Sequence, residues 1–171
     1  MTIRFLWRTI LASTLVVSLL AIGTSAIAAP ARDDTTWHAE YFNNTTLSGK
    51  PALVREEAII ARDWKVGSPG PSVRADNFSA RWTRTMDLGY SGNYRIYINS
   101  DDGMRVWVDD ILAIDNWFDR QDAWSTTVDI YLAAGTHRFK VEYYEHVGSA
   151  LAYVVIQHGR LGVRLAELGL L

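Results

Sequence analysis

Residues 94–108 read YRIYINSDDGMRVWV, two runs of strict alternation joined by an acidic knot. In the first, Tyr94, Ile96 and Ile98 fall on one face and Arg95, Tyr97 and Asn99 on the other. In the second, Met104, Val106 and Val108 oppose Arg105 and Trp107. Successive side chains of a strand point to opposite faces, so a period of two with one apolar set describes strands that cover a core on one side. FSARWTRTM repeats the pattern with Phe78, Ala80 and Trp82, and HRFKVEYYE with Phe139, Val141 and Tyr143. Eight to ten such short segments, separated by frequent turn signals and with little sign of a long helix, predict an all-β antiparallel sandwich or barrel.

The remaining segments fit around these strands. WHAEYF opens the domain and NNTTLSGKP after it carries turn chemistry. LVREEAII reads as a short strand or irregular edge, and DWKVGSPGPS, rich in Gly and Pro, as a surface loop. ALAYVVIQ is an unbroken apolar run, as expected of a strand covered on both sides. Asp109-Asp110 falls between MRVWV and ILAID, where a two-residue hairpin turn is expected.

The first residues assign a compartment. Arg4 and Arg8 precede an uncharged apolar run over 9–23, and Ala26-x-Ala28 supplies small residues for cleavage. The segment is short for a spanning helix, which needs about 20 apolar residues, so an uncleaved anchor is the weaker reading and a signal peptide over 1–28 the stronger. A linker over 29–36, a domain over 37–157 and a tail over 158–171 complete the division. The processed protein is expected to be secreted, extracellular or in the cell envelope, with no membrane insertion after cleavage. Cleavage takes away two of 17 basic residues and none of the 19 acidic ones, giving a net charge of −4. That balance argues against nucleic acid as a partner. No Cys is present, which excludes a disulfide framework, a thiol nucleophile and a Cys zinc site.

The acidic knot is the candidate site. Asp101 and Asp102 repel each other, so they are either spread into water on a turn beside Gly103 or held by a cation. Hard cations such as Ca²⁺ take six to eight oxygen ligands from carboxylates, carbonyls and water, and two adjacent aspartates supply part of that set. Trp117, Phe118 and Trp124 in DNWFDRQDAW lie outside the clearest strands. They either pack over the end of the fold or form a ligand surface.

AEYFNNTTLSGKP, DNFSARWT, SGNYRIYINSDDGMRVWVDD, LAIDNW and LAAGTHRFKVEYYE, in this order and spacing, resemble the protective antigen 14 domain family over residues 37–157. The resemblance implies an antiparallel β module of the kind found in toxins, glycosidases, proteases and adhesins, commonly binding carbohydrate. It further implies that Asp101 and Asp102, joined by a cis peptide bond, hold a Ca²⁺ that also ligates sugar hydroxyls. A second loop late in the domain completes the site in such members. Its counterpart here is EHVGSA, which offers Glu145 and His146 as ligand-binding residues rather than the Asn or Asp that some binders use. Trp117 is expected to cover the apolar face of the sugar. The family's common Asp-Gly hairpin is Asp109-Asp110 here.

Catalytic readings find little support. G-x-S-x-G and H-E-x-x-H are absent, and the four histidines lack metal-ligand spacing. Glu142 and Glu145 would suggest a glycosidase pair, but odd spacing on one strand sends them to opposite faces. The expected function is therefore a non-enzymatic, Ca²⁺-dependent module for a glycan or cell-surface polysaccharide. The alternatives are a structural or adhesive interaction module without a sugar site, and an accessory domain separated from a larger enzyme.

Overall fold

The computed structural model describes residues 34–159; the signal segment and the tail beyond Gly159 lie outside them. Ten strands follow in order: β1 (Trp37–Phe42), β2 (Leu53–Glu57), β3 (Ala61–Lys65), β4 (Phe78–Leu88), β5 (Gly92–Asp101), β6 (Gly103–Val108), β7 (Ile111–Asn116), β8 (Trp124–Leu132), β9 (Gly135–Glu145) and β10 (Ala150–His158). They form two antiparallel sheets, β2-β1-β4-β9-β6-β7 and β3-β10-β5-β8, with the core between them. The all-β sandwich expected from the alternation is the one observed, and no described segment is a helix able to cross a membrane.

The alternating residues do what their period demands. Phe78, Ala80, Trp82, Ile96, Ile98, Met104, Val106, Phe139, Val141 and Tyr143 are all fully buried in one cluster fed by both sheets. Edge-to-face aromatic contacts hold its centre, with Tyr41–Trp82 at 5.8 Å and Trp64–Phe78 at 5.5 Å between centroids. Beneath them sits a buried carboxylate. Glu57 Oε1 accepts from Tyr41 Oη (2.7 Å) and Arg55 Nε (2.6 Å), and Oε2 from Trp82 Nε1 (2.9 Å) and Arg62 Nε (3.1 Å). Those donors come from β1, β2, β4 and β3, so one side chain fastens an edge of each sheet to the core.

Two readings need correction. DWKVGSPGPS is not all loop: β3 continues to Lys65, and Trp64 packs into the aromatic cluster. Pairing with β10 outweighs the local Gly and Pro signal, which governs only the residues after Lys65. ALAYVVIQ is not covered on both sides either. Ala150 and Ala152 are buried and Val154 and Ile156 pack on the core, while Leu151, Tyr153 and Val155 remain half-exposed on the outer face. The Asp109-Asp110 turn is as expected, with φ of 49° and 65°, the positive pair that suits a two-residue hairpin. Asp109 is fixed there by Arg138 N at 2.8 Å and His137 Nδ1 at 2.6 Å.

One topological fact positions the site. β5 belongs to the smaller sheet and β6 to the larger, so Asp102 is where the chain steps from one sheet to the other. β7 to β8 and β9 to β10 make the same step. The registers Met104↔Asn116, Gly103↔Tyr144 and Leu151↔Asp101 bring these three crossings to one end of the sandwich, where the β3-to-β4 crossing also lies.

Candidate functional site

At that end three acids meet out of water. Asp102 is 2 % exposed, Asp101 8 % and Glu145 0 %, and the Asp101–Asp102 peptide is cis. Asp102 holds one main-chain donor on each oxygen: Oδ1 accepts from Arg120 N at 2.7 Å and Oδ2 from His146 N at 2.9 Å, one from each of the other two crossings, with a lone pair left on each. Its carbonyl accepts from Ser100 Oγ at 2.9 Å. The Tyr143 hydroxyl donates to the Asp101 carbonyl and stands 3.2 Å from Glu145 Oε2.

The other two carboxylates are poorly served. Glu145 Oε1 is buried and finds no hydrogen-bond partner among the described residues. Burial, then the charge of Asp102, with smaller contributions from Asp101 and Asp76, pushes Glu145 up to about 8 against the bond from Tyr143. Burial first, then Asp102 and Asp122, also raises Asp101. Unpaired buried carboxylates repelling one another are costly, and hard oxygen donors of this kind suit a divalent cation. Among the described residues no three His, Asp or Glu side chains already form a metal cage. A cation here would therefore take Asp101 and Asp102, with carbonyl oxygens and water for the rest.

Beside the acids lies a cleft of about 310 Å³ lined by Thr45, Thr46, Asn77, Trp117, Asp119, Tyr144 and His146. Asp119 organises it, accepting from Tyr144 Oη at 2.7 Å and bonded to His146 Nδ1 at 2.9 Å. These bonds, Tyr144 first, hold Asp119 below its ordinary value, and burial first, then Asp119, pushes Tyr144 well up. Trp117 packs against Tyr144 at 4.7 Å between centroids with the ring planes inclined by 59°, and carries the Arg105 guanidinium 3.9 Å from its own ring. Phe118 and Trp124 stay exposed, at 47 % and 55 %.

The structure thus brings Asp101, Asp102, Glu145, His146 and Trp117 to one end of the fold. Glu142 is not with them. It sits on the opposite face of β9, bonded to Arg81 and Arg105 at 2.9 Å each, so it forms no carboxylate pair with Glu145. Asp119, Tyr144 and Arg120 were not singled out from the sequence. An acid in an aromatic-rich loop was the available signal for Asp119, but its partners lie 25 and 27 residues away.

Gly103 sets the fit between the two halves of the site. A Cβ there would stand 2.1 Å from Tyr144 Cε1, so Gly103→Ala must displace the ring that holds Asp119 and Trp117. Overpacking of this kind costs about 1–3 kcal/mol. The variant should melt earlier with altered Trp fluorescence; an unchanged melting curve would show that the ring swings aside freely.

Comparison with known proteins agrees with this architecture. The family model of the PA14 domain matches residues 33–167. A curated relative, anti-sigma-I factor RsgI3 of Acetivibrio thermocellus, is 42% identical over 114 residues, covering 66% of this chain and 17% of its own length. A solved anti-sigma factor domain-containing protein superposes with a TM-score of 0.68 at 38% identity, covering 74% of this chain and 44% of that one. The PA14 sugar-binding domain from an RTX adhesin shares the fold, with a TM-score of 0.54 at 17% identity over 75% of this chain and 92% of its own. This chain therefore spans only a fraction of the first two proteins, but across nearly all of its described length it belongs to the PA14 domain family.

Proposed function

We propose that this domain is an exported carbohydrate-binding module that takes Ca²⁺ at Asp101 and Asp102 and holds a glycan in the adjoining cleft. The observation that carries this reading is the buried acidic set at these sheet crossings, with Glu145 Oε1 unpartnered and no cationic side chain paired to Asp101 among the described residues. Bound Ca²⁺ would offset the repulsion and present coordination positions that vicinal hydroxyls can take from water. The chain's own residues supply the rest. Asp102 fixes both flanking loops, Asp119 and His146 offer polar contacts, and Trp117 and Tyr144 form the apolar wall. Membership of the family supports a binding role, as does the sugar-binding domain of the adhesin, whose likeness to this chain is one of fold. A glycan array read with Ca²⁺ and with chelator tests the proposal. Ca²⁺-dependent spots are expected, and a blank array with folded, Ca²⁺-loaded protein would sink it.

A second reading is favoured by the 42% identity to part of an anti-sigma factor. Here the same site serves as the ligand-recognising portion of a regulatory protein. The signal-like segment over 1–28 supports export under the first reading. Mass spectrometry of exported material should find the first residue at Ala29, and an intact Met1 would mean an anchored protein instead.

A further inference from the structure

Arg55, Arg62, Arg81, Arg95, Arg105 and Arg138 all meet carboxylates within salt-bridge distance. Arg120 does not. Its guanidinium lies 4.0 Å from the Phe118 ring and 5.0 Å from the Trp124 ring. Its buried Nε has no acceptor, and its side chain makes no hydrogen bond or ion pair with a described residue. Two half-exposed aromatic rings thus hold a cation that pairs with no carboxylate among the described residues. Such flanking strips water from the guanidinium while leaving its terminal N–H fork free. The backbone of the same residue is pinned to Asp102, with Arg120 N 2.7 Å from Oδ1. The unsatisfied fork therefore stands within a side chain's length of the proposed cation site.

A rigid, ring-flanked fork with no partner matches a planar carboxylate. We propose that the glycan is acidic and that a uronic-acid carboxylate seats on Arg120 between Phe118 and Trp124, an inference that rests on sugar binding at this loop end. The surrounding acids impose a condition. Asp119 is committed to Tyr144 and His146, but Asp101, Asp102 and Asp122 would repel an anionic ligand. Acidic-sugar binding therefore requires the cation that neutralises the pair, and it weakens with salt more than neutral-sugar binding does.

The test uses uronic-acid oligosaccharides and the same oligosaccharides after carboxyl reduction, titrated into the domain with Ca²⁺ in excess over total carboxylate. The acidic form should bind more tightly, on the order of tenfold for one charge-assisted pair. Arg120→Gln should bring the ratio near one and Arg120→Lys should leave a partial preference. Arg95→Gln, on a surface pair with Asp129, should keep the preference in full. Equal affinity of the two forms in the parent would overturn the acidic preference and leave the sugar site standing. A preference that survives Arg120→Gln would remove Arg120 from the role. Failure of every oligosaccharide to bind in Ca²⁺ would overturn the sugar site and this inference together.

Discussion

Replacing Glu57 with alanine should destabilise the domain by about 3–5 kcal/mol, the cost of breaking a buried, fully bonded ion pair from one side. The substitution leaves the Tyr41 O–H and the Trp82 Nε1–H without their acceptor in the core, and Arg55 and Arg62 without their shared carboxylate. It also unfastens β2 and β3 together, so both sheets lose an edge support. The pH dependence follows from the direction of the shift. Burial pushes the Glu57 carboxyl up, but the bonds from Tyr41, Trp82 and Arg55 and the charge of Arg62 outweigh it and hold the group below its ordinary 4.5. A depressed folded value means that the stabilisation is complete above the unfolded value and is lost as pH falls through the folded one. Urea unfolding should therefore show the full gap between parent and variant at neutral pH, narrowing below about pH 4.5. A loss under about 1 kcal/mol at pH 7 would mean that the network contributes only what an exposed pair does.

The second large effect is the response to Ca²⁺. A ligand that binds only the folded state stabilises it by RT ln(1 + [L]/Kd), about 2.7 kcal/mol at a hundredfold excess over Kd. Asp101→Asn should erase most of that gain while leaving the unliganded fold intact or slightly more stable, because its carboxylate accepts no bond from a described residue and only repels its neighbours. Asp102→Asn should erase the response too, but at a separate cost of about 1–3 kcal/mol, since an amide cannot accept from both Arg120 N and His146 N. Proton release gives an independent readout. Glu145, raised to about 8 chiefly by burial and then by Asp102, is mostly protonated at pH 7, and a cation placed nearby favours its ionised form. The calorimetric enthalpy of Ca²⁺ addition should then vary with the ionisation enthalpy of the buffer. Without the cation the raised value has the opposite sign to that of Glu57: stability falls as pH climbs from about 4.5 towards 8. A flat titration at millimolar Ca²⁺ with folded protein would retire the metal site.

The parts of this molecule legible in the sequence are those that depend on local period. Alternation at Phe78–Ala80–Trp82 and Phe139–Val141–Tyr143 marked the inward faces, and Asp109-Asp110 marked its hairpin. Each was readable because one strand or one turn carries the whole signal. What escaped depends on pairing across the chain. β3 exists because Ala61–Lys65 lies along β10, and nothing in ARDWK alone announces it. The same holds within the site. Asp101 and Asp102 were visible as a pair, but the donors that fix Asp102 come from 18 and 44 residues away. Arg120 reads as one more surface charge until the rings on either side of it are seen. Local pattern thus located the acids, while the topology of the sheet crossings decided what surrounds them.

The way Asp102 is held has a consequence for how such a domain can change its taste. Both of its oxygens are gripped by main-chain N–H groups, those of residues 120 and 146, and a backbone amide is the same whatever side chain it bears, proline excepted. The frame of the site is therefore indifferent to the identity of the residues that frame it. Substitutions at 120 and 146 can redraw the contacts offered to a ligand while the carboxylate, its two loops and the sheet crossing stay in register. Under the proposed reading, selectivity and scaffold are uncoupled at the very residues where they meet.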